Sequence, residues 1–169
     1  MTEAKVEANP AVSATAETED GEERHLETIA VLGAGGELYG ITAERLSEIT
    51  RLQEITEVPN SPDFVEGVVN LRGLIVPIVD LRRHLQLPFE ELSARGRIVV
   101  IEVQSEAGEN SIGLIVDSVE EVRIIDQDLV DNETEVVSRV GTDFLRGVVK
   151  LEDSLIVLLD IDAIFANTI

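Results

Sequence analysis

Large apolar residues are almost absent from the first 25 positions and then arrive in short, regularly spaced runs. Leu26-Glu27-Thr28-Ile29-Ala30-Val31-Leu32 has the length and β-branched content of a strand. Gly33-Ala34-Gly35-Gly36 supplies a turn, and Glu37-Leu38-Tyr39-Gly40-Ile41 supplies a return strand, so the first ordered element is a hairpin. The Ala, Glu, Thr and Ser of residues 1–25, with Pro10 among them, offer too little apolar surface to offset the entropy of ordering. That stretch is expected to be a disordered acidic tail, and residues 26–167 the folded part.

The strand pattern repeats. A shift of 80 places Phe64-Val-Glu-Gly-Val-Val-Asn-Leu-Arg-Gly-Leu-Ile-Val-Pro-Ile-Val-Asp-Leu81 on Phe144-Leu-Arg-Gly-Val-Val-Lys-Leu-Glu-Asp-Ser-Leu-Ile-Val-Leu-Leu-Asp-Ile161 without a gap. Six of the eighteen pairs are identical and six more exchange one apolar residue for another. A shift of 73 aligns Gly40–Ile49 with Gly113–Val122, and Arg97-Ile-Val-Val-Ile matches the first hairpin arm. The second copy therefore carries seven extra residues between about Asp126 and Thr142, where a surface loop is expected. Each copy ends in two close apolar strands, joined by Arg72-Gly73 or Glu152-Asp153. Asp80 and Asp160 then open short helical patterns whose free N–H groups a carboxylate can cap. The fold class is mainly β, with five short strands and a terminal helical turn per copy: two small intertwined barrels, whose boundaries the sequence does not place.

Period-two alternation puts Val65, Gly67, Val69 and Leu71 on one face of their strand, the core face. The other face carries Glu66, Asn70 and Arg72 in one copy and Arg146, Lys150 and Glu152 in the other. Two charges reverse sign and an amide becomes a cation. Similar interiors under altered exteriors fit two barrels offered to different partners; relaxed surface drift gives the same pattern.

Composition narrows the choice. Aromatics make up 3% of the chain and there is no Trp, so Val, Ile and Leu must fill the core, which favours strands. No apolar stretch approaches the roughly 20 residues of a membrane span and Met1-Thr2-Glu3-Ala4-Lys5 lacks a secretory core, so a cytoplasmic location is expected. The absence of Cys removes disulfides, thiolate metal sites and cysteine nucleophiles, and His25 and His84 are too few for a multi-histidine metal centre. A net charge of −21 argues against binding a phosphate backbone. Eleven Arg and two Lys against 34 acids fit either a high-salt interior, where screening relieves self-repulsion, or a merely acidic surface.

Candidate chemistry is thin. Val31-Leu32-Gly33-Ala34-Gly35-Gly36 follows a strand but has Leu38 where a dinucleotide fingerprint needs its third glycine. Asp80 and Asp160 stand at equivalent places, as in proteases that share a proton between two carboxylates, but lack the Asp-Thr-Gly context; helix capping explains both. The run Asp126, Asp128, Asp131, Glu133 and Glu135 lacks the glycine and terminal Glu of a calcium loop. No enzyme, no cofactor and no metal site is expected.

The run Pro59-Asn-Ser-Pro-Asp-Phe-Val-Glu-Gly-Val-Val-Asn-Leu-Arg-Gly73, continued by Ile75-Val-Pro-Ile-Val-Asp-Leu81, resembles the signature of the CheW family of chemotaxis coupling proteins. The resemblance extends through Ile112–Val119 and Phe144–Val148 and covers about residues 26–167. It implies two five-stranded, SH3-like barrels side by side with a hydrophobic groove between them. The function it implies is to bridge the cytoplasmic tip of a chemoreceptor to the histidine kinase CheA, in arrays at the membrane. Carried over on matched positions, the partner-binding residues would be Leu46, Glu48, Ile49, Gly67 and Arg72. Arg72, at an outward strand end, could pair with Glu48 or with a partner's carboxylate. Gly67 and Gly147 are first explained by close backbone packing. Val119, Val122 and Ile124 fit the groove or the core equally. The acidic tail lies outside the family pattern, and Glu66 stands where many relatives tolerate a basic residue. A coupler of a non-flagellar chemosensory pathway, or a generic SH3-like binding module, fits the same residues; the single Tyr and missing Trp disfavour the latter.

Overall fold

The computed structural model describes residues 13–17, 23–106, 108–132 and 142–166. The strands are β1 (Ser13–Glu17), β2 (Glu23–Ala34), β3 (Glu37–Thr42), β4 (Leu46–Arg51), β5 (Val65–Leu71), β6 (Leu74–Asp80), β7 (Arg97–Ser105), β8 (Gly108–Val116), β9 (Ser118–Asp126), β10 (Leu145–Leu151) and β11 (Ser154–Leu159). Helix α1 (Leu81–His84) follows β6 and helix α2 (Ile161–Phe165) follows β11. Both expected caps form: Asp80 Oδ1 accepts from Arg82 N at 3.0 Å and Asp160 Oδ1 from Ala163 N at 3.1 Å.

The sequence repeat and the barrels are different units. The strands order as β4-β7-β8-β6-β5 in one sheet and as β2-β3-β11-β10 in the other, with β9 on the free side of β2. A central barrel is thus built from residues 46–116, while a terminal barrel takes its strands from the two ends of the chain. Each copy lends its first hairpin to the strands of the other. The seam of the exchange is a parallel pairing, β6 with β8 and β3 with β11. Gly113 and Gly40 sit at these seams, where an added Cβ would lie 2.5 Å from Ile78 and 2.7 Å from Leu158, so the matched glycines let the exchanged strands pack.

Burial explains why β2 and β7 read as unbroken apolar runs. In β2, Ile29 and Val31 point into the terminal barrel while Ala30 and Leu32 enter a core shared by both barrels. In β7, Ile98 and Val100 fill the central barrel while Val99, Ile101 and Val103 enter the same shared core. Strands buried on both faces lose alternation. The shared core also takes Tyr39, Leu81, Leu114, Leu159 and Phe165, so the barrels are packed as one body.

Each barrel closes through one isolated bridge. Thr56 pairs with Val68 through bonds of 2.9 Å in both directions, and Asp131 pairs with Val148 through bonds of 2.8 and 3.0 Å. At both places β5 and β10 carry a bulge, between Val65 and Gly67 and between Leu145 and Gly147. A Cβ on Gly67 would stand 2.4 Å from Thr56 O, and one on Gly147 2.8 Å from Asp131 O. The recurrent glycine admits the closing segment. The extra residues of the second copy fall largely between Asp131 and Gly147, a stretch that includes residues 133–141, outside the described ones.

The expected tail over residues 1–25 also falls mostly outside the described residues. Within them, β1 pairs antiparallel with Glu23–Glu27, so β2 begins ahead of Leu26. Ladder hydrogen bonds come from the backbone, and the polar Glu23-Arg24-His25 segment needs no apolar side chain to join them.

Candidate docking surface

Strands β5 and β6 of the central barrel meet at a two-residue turn in which Arg72 has φ 55° and Gly73 φ 85°. Two positive φ values match the right-handed twist of a hairpin. Asn70 Oδ1 accepts from Gly73 N at 2.9 Å and fixes the turn. Glu152, the matched residue of the terminal barrel, has the same φ of 55°, so the hairpin and not a site requires this conformation.

The five sequence-predicted residues fall on this side of the central barrel with unequal access. Leu46 is 2% exposed and belongs to the shared core, and Gly67 is buried under Thr56. Neither presents a side chain at the surface; both shape the strands that carry the exposed residues. Ile49 is half-buried with its inner side on the shared core, and Glu48 is half-buried beside it. The Arg72 side chain is 59% exposed, with Nη2 at 3.8 Å from Glu48 Oε2, beyond hydrogen-bond reach. Such a contact is a weak tether.

In the terminal barrel the tip residue is an acid, and its partner is Arg123, at the position matched to Thr50, with shorter bonds. Arg123 Nη2 donates to Glu152 Oε1 at 2.9 Å, and its Nη1 to Glu121 Oε1 at 3.2 Å. The hydrogen bond to Glu152, then that to Glu121, raises the Arg123 pKa above its ordinary value. At the tip of the terminal barrel Glu152, 77% exposed, is held at hydrogen-bond distance by Arg123, whereas Arg72 has Glu48 only at 3.8 Å.

Beside Arg72 the surface turns apolar. Leu74 and Ile75 are 67% and 63% exposed and rim a groove of ≈ 290 Å³ whose walls include Phe64, Val65, Val79 and Ile112. Phe165 of α2 closes it from the terminal-barrel side, and Glu109 is its one charged lining residue. An inter-barrel groove is therefore present, but Val122 and Ile124 do not line it. They stand 49% and 63% exposed on β9, and Val119 alone of that trio packs on the shared core. Sequence reading missed Leu74 and Ile75 as exposed residues and Phe165 as a buried wall of the groove. The available signal was the turn-flanking Leu74-Ile75, where the second copy has Ser154-Leu155.

Arg82 and Arg146, near the two helices, are held by short hydrogen bonds. Arg82, 3% exposed, donates Nε and Nη2 to Asp80 at 3.0 and 2.8 Å, and Nη1 to Asp117 at 2.9 Å and Glu90 O at 2.8 Å. The Asp80 hydrogen bond, opposed by burial, raises its pKa, so it stays cationic. Arg146 makes a fork to Glu27 at 2.7 and 2.8 Å, which likewise raises its pKa against desolvation. Asp80 and Asp160 are each occupied at their own helix start, a geometry unlike a shared-proton pair. His84 lies between Phe64, edge-on at 5.7 Å, and Phe165, stacked at 5.2 Å, with Nε2 3.3 Å from Ile164 O. Among the described residues no cluster of His, Asp or Glu could hold a metal, and no helix is long and apolar enough to cross a membrane.

A surface that combines an apolar groove with a loosely held arginine is suited to docking protein, and comparison with known proteins gives it a family. The family model described as CheW-like domain matches residues 28–168. The chain is 31% identical over 137 residues to the chemotaxis protein CheW of Treponema pallidum, covering 79% of this chain and 78% of that one. It is 29% identical over 150 residues to the chemotaxis protein CheW of Bacillus subtilis, covering 89% and 90%. Among solved structures, the scaffolding protein TtCheW from Thermoanaerobacter tengcongensis superposes with a TM-score of 0.73 at 31% identity, covering 83% of this chain and 93% of that one. The pattern of strands, the turn at Arg72 and these matches agree, and the chain belongs to the CheW-like family.

Proposed function

We propose that this chain is a cytoplasmic chemotaxis adaptor, without catalytic activity of its own, that couples chemoreceptors to the histidine kinase CheA. Its family and the fold it shares with a CheW scaffold support this reading. The observation that carries it furthest is the asymmetry between the two hairpin tips. Arg72 is exposed and loosely held, and its counterpart Glu152 is tied to Arg123. The central-barrel face bearing Glu48, Ile49 and Arg72 takes a carboxylate-bearing surface of the kinase's regulatory domain. The groove beside Leu74 and Ile75 takes an apolar helix face of the receptor tip, the mode in which amphipathic helices lie in grooves. The shared core holds the two partners at a fixed relation, so that receptor state reaches the kinase, and several such weak contacts act together in an array.

Arg72→Ala tests the assignment. The substitution is expected to weaken binding to the CheA regulatory domain in calorimetric titration by about three- to fivefold, the scale of one partly exposed charge pair. The melting temperature should be nearly unchanged, because the side chain contributes no close bond to the fold. A large fall in stability with unchanged binding would make Arg72 structural.

A further inference from the structure

An ion pair stands at each end of the junction between the barrels, with the charges exchanged; the shift of 80 matches the helix members Arg82 and Asp162, while the crossover members Asp117 and Arg45 lie one place out of the shift of 73. The chain passes from the central to the terminal barrel at Asp117, and from the terminal to the central barrel through a 3-10 turn at Ala43–Arg45. At each crossing the crossover residue meets the residue two places after a helix cap: Asp117 meets Arg82 of α1, and Arg45 meets Asp162 of α2. The first contact is sealed. Arg82 makes four hydrogen bonds under the Phe89 ring, 4.5 Å from its centroid, and Asp117 Oδ2 also accepts from Gly35 N at 2.8 Å.

The second contact is partly open. Arg45 Nη2 is 2.6 Å from Asp162 Oδ2, with side chains 25% and 44% exposed. Its supports are long: Arg45 Nη1 to Glu102 O at 3.4 Å, and Gln104 N to Asp162 Oδ1 at 3.3 Å. Both supports lie on β7, so this pair fastens α2 of the terminal barrel to the central barrel. The same five-residue helix carries Phe165, the groove wall on that side, three residues after Asp162.

We propose that Arg45 and Asp162 are positioning residues of the docking groove, holding α2 so that Phe165 faces Leu74 and Ile75 across a gap of fixed width. Neither residue lines the groove; each acts through the helix. The inference rests on the docking reading above for its consequence in binding, and on the fold alone for its consequence in α2.

The test uses the full chain with Arg45→Asp, Asp162→Arg and both together. Hydrogen exchange is followed over residues 161–166, and affinity is measured for a helical fragment of a chemoreceptor tip and for the CheA regulatory domain. Each single variant should exchange faster in α2 and bind the tip fragment about three- to fivefold more weakly, with kinase-domain affinity unchanged. The double variant should restore both. Should a reversal prevent folding, Arg45→Gln and Asp162→Asn remove the pair without repulsion: each alone should speed exchange in α2, and the two together should add little to either, whereas wild-type exchange in both singles would overturn the proposal. Single variants with wild-type exchange in α2, or a double variant that restores neither readout, would overturn the proposal. A wild-type chain that binds no tip fragment overturns the docking reading instead, and exchange in α2 alone then decides whether the pair positions the helix.

Discussion

Arg82 and Arg72 carry the same charge and do opposite work because of what surrounds them. Arg82 is enclosed, with each of its bonds aimed at a fixed acceptor, and it ties β6, α1 and the Asp117 crossover into one piece. Arg72 stands at a hairpin tip with a single partner at 3.8 Å. Nothing in the bare sequence separates them: both are arginines near a turn, and the burial of Arg82 depends on Asp117, 35 positions away. Gly67 is the opposite case, since its recurrence as Gly147 at the matched position marks a backbone requirement legible in the sequence itself. Gly67→Val should destabilise the fold by about 1–3 kcal/mol through the overpacking of Thr56. Urea unfolding checks this, and an unchanged midpoint would mean that the closing bridge does not depend on the glycine.

At the scale of elements, strands and hairpin turns were legible because their signals are local. Alternation, β-branched runs and Gly-containing turns lie within a few residues of each other. The exchange of first hairpins between the two copies was not. Strands β3 and β8 present the same residues whether they pair with their own copy or the other, and the parallel seam with β11 or β6 is decided by long-range packing. The groove was expected between the barrels, but its lining was not legible, since Phe165 of α2 and Leu74 of β6 come from opposite barrels. The N-terminal segment offers a prediction at this scale. Strand β1 pairs with the polar outer end of β2, away from Ile29 and Val31 where the core begins. Deleting residues 1–22 should therefore leave cooperative thermal unfolding intact, and its loss would show the segment to be part of the fold.

Across the whole molecule, a core drawn from both barrels makes the adaptor a spacer of fixed geometry more than a pair of independent modules. That property suits coupling, because a partner on the central-barrel face and another in the groove are then held at a constant relation. The two barrels share interiors and differ in the charges of their exteriors, Arg72 and Glu66 on one, Glu152 and Arg146 on the other. Duplication thus supplied the frame, and the charges of the two exteriors diverged. The most direct test of the account is sedimentation of the purified chain with the CheA regulatory domain and a chemoreceptor-tip fragment present together. A ternary complex containing all three is expected. Competition between the two partners for one site, or binding of neither, would contradict it.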